Sequence, residues 1–206
     1  MSRISIAQPQ LLHIKGNGTL SYGATQLWYS VFWRRRAGCG PTCASNLLWY
    51  LAATCPEKYR CLYDGDCRNR HEMIFLMNKV WHYVTPGMRG LNKSSMFTDG
   101  VTLFGKDRGV NISCRVLEVS ADSSLRPSQD QVLEFLTAAF EDDLPVAFLN
   151  LSNGQVKNLD NWHWVTLVST DENLQAEMYD DSGCELVDVA LWLETTTGGG
   201  AFVAIE

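Results

Sequence analysis

Apolar residues in the first part of this chain recur three and four residues apart, which is the spacing of a buried helix face. The clearest run begins at about Thr42, where Pro41 suits the first helical turn because its missing N–H is not needed there. Pro56 is expected to end this helix. The spacing predicts helices over residues 42–53, 72–84, 95–104 and 129–140.

Later in the chain the apolar pattern changes from helical spacing to alternation, which is typical of strands. His163–Ser169 shows the alternation most clearly. Strands are predicted over residues 111–119, 145–151, 163–169, 174–180 and 200–205. Because helices come first and most strands follow without long helices between them, the sequence predicts an α+β fold with an antiparallel sheet, and not an alternating βαβ fold.

Length and composition favour a single domain that spans residues 1–206. The apolar share of 46% excludes disordered, collagen-like and low-complexity classes, and the net charge of −6 argues against a general nucleic-acid binder. The longest apolar run, 47–53, is far shorter than the roughly 20 residues that cross a bilayer. Residues 1–9 lack the apolar stretch of a secretory signal. We therefore expect a soluble, cytoplasmic protein without a membrane segment.

The chain has seven cysteines, so at least one is unpaired within it. In a cytoplasmic protein, thiols are more often reduced, catalytic or metal-bound than joined in disulfides. The cysteines stand at positions Cys39, Cys43, Cys55, Cys61, Cys67, Cys114 and Cys184.

Cys39 lies in the segment Gly38-Cys39-Gly40-Pro41-Thr42, directly before the first strong helix. The positive end of a helix dipole and its free N–H groups favour the thiolate, which is the nucleophilic form. The flanking glycines let a substrate approach the backbone closely. The same pattern also fits a small buried cysteine beside a turn.

Two later features could complete a thiol-based site. His163 opens an apolar strand, so its ring can lie at the rim of the sheet, where a base paired with a thiol is needed. Asp180 and Asp181 end the next predicted strand, where a carboxylate could hold the imidazole in one tautomer. A core histidine and a turn aspartate are the simpler interpretations of these positions.

Taken together, Cys39-Gly40-Pro41-Thr42, the later His163-Trp164-Val165 and the acidic strand end resemble the papain-like cysteine peptidases. The resemblance extends over residues 26–206 and is closest to the bacterial branch that looks like the bacteriocin-processing (double-glycine) peptidases. It implies a papain-like fold, in which an N-terminal helical part carries the nucleophile at a helix start and packs on a C-terminal antiparallel sheet.

The resemblance also implies roles for individual residues. Cys39 would be the nucleophile, His163 the general base and acid, and Asp180 or Asp181 the residue that orients the imidazole, with Asp180 preferred. Gln26 is the candidate for a side-chain donor to the oxyanion, although an expected loop over 29–37 makes its distance in sequence from Cys39 longer than in papain. The implied activity is a cysteine peptidase or amidase that acts on a peptide or amide through a thioester intermediate and needs no cofactor.

Three other functions stay open on the sequence. The domain could be catalytically silent and bind a peptide or partner, or it could be a thiol acyltransferase. A zinc-stabilised interaction module is also possible, since three cysteines and one histidine could make a tetrahedral site, although their spacing is wider than in common zinc modules. The residues of that cluster are Cys55, Cys61, Cys67 and His71. The three cysteines would lie in an insertion over 54–70, and His71 follows it.

Overall fold

A computed structural model describes residues 3–16, 18–181 and 183–206. Ser182, within the predicted acidic strand end, lies outside the described residues. The helices are α1 (Phe32–Ala37), α2 (Cys39–Thr54), α3 (Pro56–Tyr59), α4 (Arg70–Val80), α5 (Ser94–Lys106), α6 (Gln129–Glu141) and α7 (Val189–Thr195). The strands are β1 (Arg3–Ser5), β2 (His13–Gly16), β3 (Thr19–Tyr22), β4 (Cys114–Val119), β5 (Val146–Asn150), β6 (His163–Asp171), β7 (Gln175–Asp180), β8 (Gly183–Asp188) and β9 (Gly200–Ile205).

One antiparallel sheet forms the C-terminal part of the fold. Its strand order is β4-β9-β5-β6-β7-β8, with β1 added beside the second half of β6, and β2 pairs separately with β3. The predicted α+β class, with a helical part before an antiparallel sheet, is confirmed. Strand β6 is central, because β5 and β1 follow each other along one of its edges and β7 pairs with the other.

Helix α2 is the core helix of the N-terminal part. Every residue from Gly40 to Ala52 is buried, as expected of a helix that is apolar on all sides. It packs on β6 and is also contacted by α4 and α5. This packing fixes the start of the helix against the start of β6. None of the helices in the described ranges is long and apolar enough to cross a membrane.

The structure corrects the prediction at several boundaries. The segment 29–37, expected to be a loop, contains helix α1, which Arg34 supports by donating to Asn78 Oδ1 at 2.7 Å and by lying over the Trp81 ring. Helix α4 ends at Val80 instead of residue 84, and a turn follows in which Tyr83 N–H donates to the Val80 carbonyl. Strand β8 and helix α7 were not predicted.

Candidate active site

Helix α2 begins at Cys39, so its thiol stands at the positive end of a 16-residue helix. The two flanking glycines are required by close contacts: a Cβ at position 38 would lie 2.3 Å from the Arg34 carbonyl oxygen. At Gly40 it would lie 2.5 Å from the Leu91 side chain. The glycines therefore let two neighbouring segments pack tightly around the thiol, which itself remains half-buried.

His163 is the first residue of β6, and only 6% of it is exposed. Its Nε2–H donates to Asp180 Oδ1 over 2.8 Å. Thr166 pairs with Tyr179, so one further step along the antiparallel register places Asp180 opposite Val165, on the same face of the sheet as His163. Cys39 lines the same pocket as the imidazole and is close enough to raise its pKa. Since Nε2 is bonded to Asp180, Nδ1 is the ring nitrogen left for a second partner.

Burial alone would lower the pKa of His163, because it disfavours the imidazolium. The hydrogen bonds and negative charges of Asp180 and of a Cys39 thiolate act in the opposite direction and outweigh burial. The pKa of His163 is therefore raised well above its ordinary value. The arrangement thus stabilises an imidazolium next to the sulfur.

Gln26 lies across the same cleft, on a short 3-10 helix formed by Gln26–Trp28. Together with Cys39, His163 and Asp180 it lines one small pocket. Within the described part of the chain, Gln26 Oε1 is buried and has no hydrogen-bond partner. The structure therefore brings these four sequence-predicted residues together at one place, and Asp181, the fifth, also lines the pocket.

Asp181 is the fifth, and its carboxylate faces a different partner. It also lines the pocket, but its Oδ1 accepts a hydrogen bond of 2.7 Å from the Thr25 hydroxyl. Successive residues at a strand end point to opposite sides, so Asp180 reaches the imidazole and Asp181 does not. The two aspartates that the sequence left open are thus distinguished by their contacts.

A buried polar network beneath the pocket was missed by sequence reasoning. Asn46 accepts from Ala24 N–H and donates to Thr166 Oγ1, so it joins the Gln26 segment to β6. Cys43 is also buried and donates to the Val165 carbonyl at 3.3 Å. The signal was present, since positions 39, 43 and 46 share one helix face and a buried asparagine in an apolar helix is unusual.

Burial raises the pKa of the Cys43 thiol, the rival nucleophile one turn inside α2. Such a thiol is protonated at neutral pH and packs as a small apolar group. The two thiols of α2 therefore differ in environment although they are only four residues apart.

The cysteines of the 54–70 segment differ in how far they are exposed to solvent. Cys55 is half-buried, Cys61 is exposed and Cys67 is buried, while His71 is exposed on α4. Across residues 3–16, 18–181 and 183–206, no group of three or more His, Cys, Asp or Glu side chains is arranged to hold a metal ion.

No protein-family model matches the chain, and no curated protein is significantly similar to it.

Proposed function

We propose that this protein is a papain-like cysteine peptidase or amidase that cleaves a peptide or amide bond through Cys39, His163 and Asp180. The observation that supports the proposal most strongly is the shared pocket of Cys39 and His163, in which the His163 imidazole also donates to Asp180 at 2.8 Å. A nucleophile, a base and a residue that orients the base are the parts that covalent acyl transfer requires.

In the first half-reaction, the Cys39 thiolate attacks the carbonyl carbon of the substrate and a C–S bond forms. The electron pair of the C=O bond moves to the oxygen, which becomes an oxyanion. When the C–N bond breaks, the His163 imidazolium gives its proton to the leaving amine. The products of this step are a free amine and a thioester on Cys39, with His163 neutral.

The oxyanion needs donors that already point at it before the reaction. The first N–H groups of α2 have no acceptor within the helix, and the Cys39 N–H is the nearest to the reacting sulfur. The side-chain amide of Gln26, which lines the same pocket, is the second donor in our proposal.

In the second half-reaction, neutral His163 accepts a proton from water, whose oxygen attacks the thioester carbonyl. The C–S bond breaks, the acid product leaves, and the Cys39 thiolate is restored beside an imidazolium. An amine in place of water would give acyl transfer by the same residues.

Acylation by p-nitrophenyl acetate tests the proposal without knowledge of the natural peptide. We expect a burst of p-nitrophenolate and an acetyl group on Cys39, located by mass spectrometry of peptides. Cys39→Ala should lose the burst, because the thiol of Cys43, which also lines the pocket, is buried and has a raised pKa.

The matched control is Cys61→Ala, which removes an exposed thiol remote from the pocket lining and should leave the burst unchanged. Acetylation spread evenly over several cysteines, or a burst that survives Cys39→Ala, would contradict the proposal.

A further inference from the structure

Asp181 makes a contact that the proposed triad does not use. Its φ of 41° is in the left-handed region, which aspartate tolerates better than most residues. From this position its carboxylate accepts a hydrogen bond from Thr25 Oγ1 at 2.7 Å. The contact joins the end of β7 to the segment that carries Gln26.

Thr25 uses its hydroxyl twice. The O–H donates to Asp181, and the same oxygen accepts from Leu27 N–H at 3.1 Å, which caps the 3-10 helix of Gln26–Trp28. Thr25 is only 3% exposed, so its end of both bonds is shielded from water, whereas Asp181 is exposed. When the Thr25 hydroxyl donates its proton to Asp181, its oxygen still has a lone pair that accepts from Leu27 N–H.

Gln26 depends on its backbone for its position. Its Oε1 has no hydrogen-bond partner among the described residues, so the amide is not fixed through its own carbonyl oxygen. The backbone is held on the preceding side, where Ala24 N–H donates to Asn46. The Thr25–Asp181 bond fixes the residue directly before Gln26.

We infer that Asp181 and Thr25 form a clasp that positions Gln26 for transition-state stabilisation, so Asp181 is a positioning residue for the oxyanion site. The inference rests on the proposed function, because it assigns a purpose to Gln26 in acyl transfer. The clasp acts only on steps that form an oxyanion, and such donors must be placed within a few tenths of an ångström. It does not act on the thiolate–imidazolium pair, which Asp180 supports separately.

Two reactions of Cys39 separate these effects. Acylation by p-nitrophenyl acetate passes through an oxyanion, whereas alkylation by iodoacetamide is a displacement at a saturated carbon and forms none. Thr25→Val keeps the side-chain shape and removes the hydroxyl. Asp181→Gly removes the carboxylate and suits the positive φ.

Both variants should lower the acylation rate by at least about tenfold while the alkylation rate stays within about twofold. Thr25→Ser keeps the hydroxyl donor, and Asp181→Asn keeps an oxygen acceptor. Each of these variants should acylate at a rate within about threefold of the original protein. In a Gln26→Ala background, Thr25→Val should cause no further loss, because its effect passes through Gln26.

The outcomes are distinct. Equal loss of acylation and alkylation in Thr25→Val and Asp181→Gly would overturn the clasp in favour of a purely structural role, and unchanged acylation would overturn it outright. If the unmodified protein shows no acylation that depends on Cys39, the proposed function fails, and the clasp fails with it.

Discussion

The start of α2 and the 54–70 segment each bring cysteines close together in sequence, but their surroundings differ. At the start of α2, the backbone of the sheet places a buried imidazole and a carboxylate beside Cys39. In the 54–70 segment the thiols differ in exposure, and no metal-binding group of three or more ligating side chains forms in the described ranges. The difference shows that the surroundings of a thiol are set by partners distant in sequence more than by other thiols nearby.

Of the substitutions that compare these two regions, Asp180→Asn is expected to have the largest effect, on the pKa of His163 and on the acylation rate. The asparagine oxygen can still accept from His163 Nε2–H, but the negative charge that raises the His163 pKa is lost. The pKa of His163 should therefore fall, and the imidazolium should be lost at a lower pH than in the original protein. We expect at least roughly a tenfold loss in acylation rate at pH 7.5, because acid–base catalysis by a positioned side chain contributes about a hundredfold or more.

The fall in the pKa of His163 is measured directly by NMR, from the pH dependence of the chemical shifts of its imidazole nitrogens. Asp66→Asn is the control in the other region, since it removes an exposed carboxylate that pairs with Arg68. An unchanged His163 midpoint in Asp180→Asn would refute the assigned cause of the raised pKa.

A smaller effect concerns stability in the 54–70 segment. Cys67 is fully buried, so Cys67→Ser places a hydroxyl among apolar neighbours and should lower the free energy of unfolding by about 1–3 kcal/mol. Cys61 is exposed, and Cys61→Ser should change this energy by less than about 0.5 kcal/mol. Urea unfolding of the two variants gives the comparison. Similar large losses in both would instead point to a shared metal or a bond between the thiols.

Much of the scaffold was predictable from local pattern. The helical spacing after Thr42 and the alternation after His163 both reflect burial against the same core, and the structure has a helix and a strand there. Helix α1 was missed because its basic residues show no apolar period, and contacts such as that of Arg34 with Asn78 stabilise it. Strand β8 was missed because it contains consecutive exposed residues and does not alternate.

The site was harder to predict than the scaffold. A shift of one residue in strand register exchanges the faces of Asp180 and Asp181, so strand patterning could not choose between them, and the preference for Asp180 came from the family resemblance alone. The pairing of Thr166 with Tyr179 makes that choice. Thr25 had no signal at all, because its role depends on Asp181, more than 150 residues later in the chain.

The most direct test of the central claim is the rate at which iodoacetamide alkylates each cysteine at pH 6, measured by mass spectrometry. At this pH an ordinary thiol with a pKa of about 8.5 is almost fully protonated. We predict that Cys39 reacts at least about thirtyfold faster than exposed Cys61, and that His163→Ala abolishes this advantage, because in the proposed mechanism the His163 imidazole activates the attacking sulfur. Equal rates at Cys39 and Cys61, or a fast Cys39 in His163→Ala, would contradict the account.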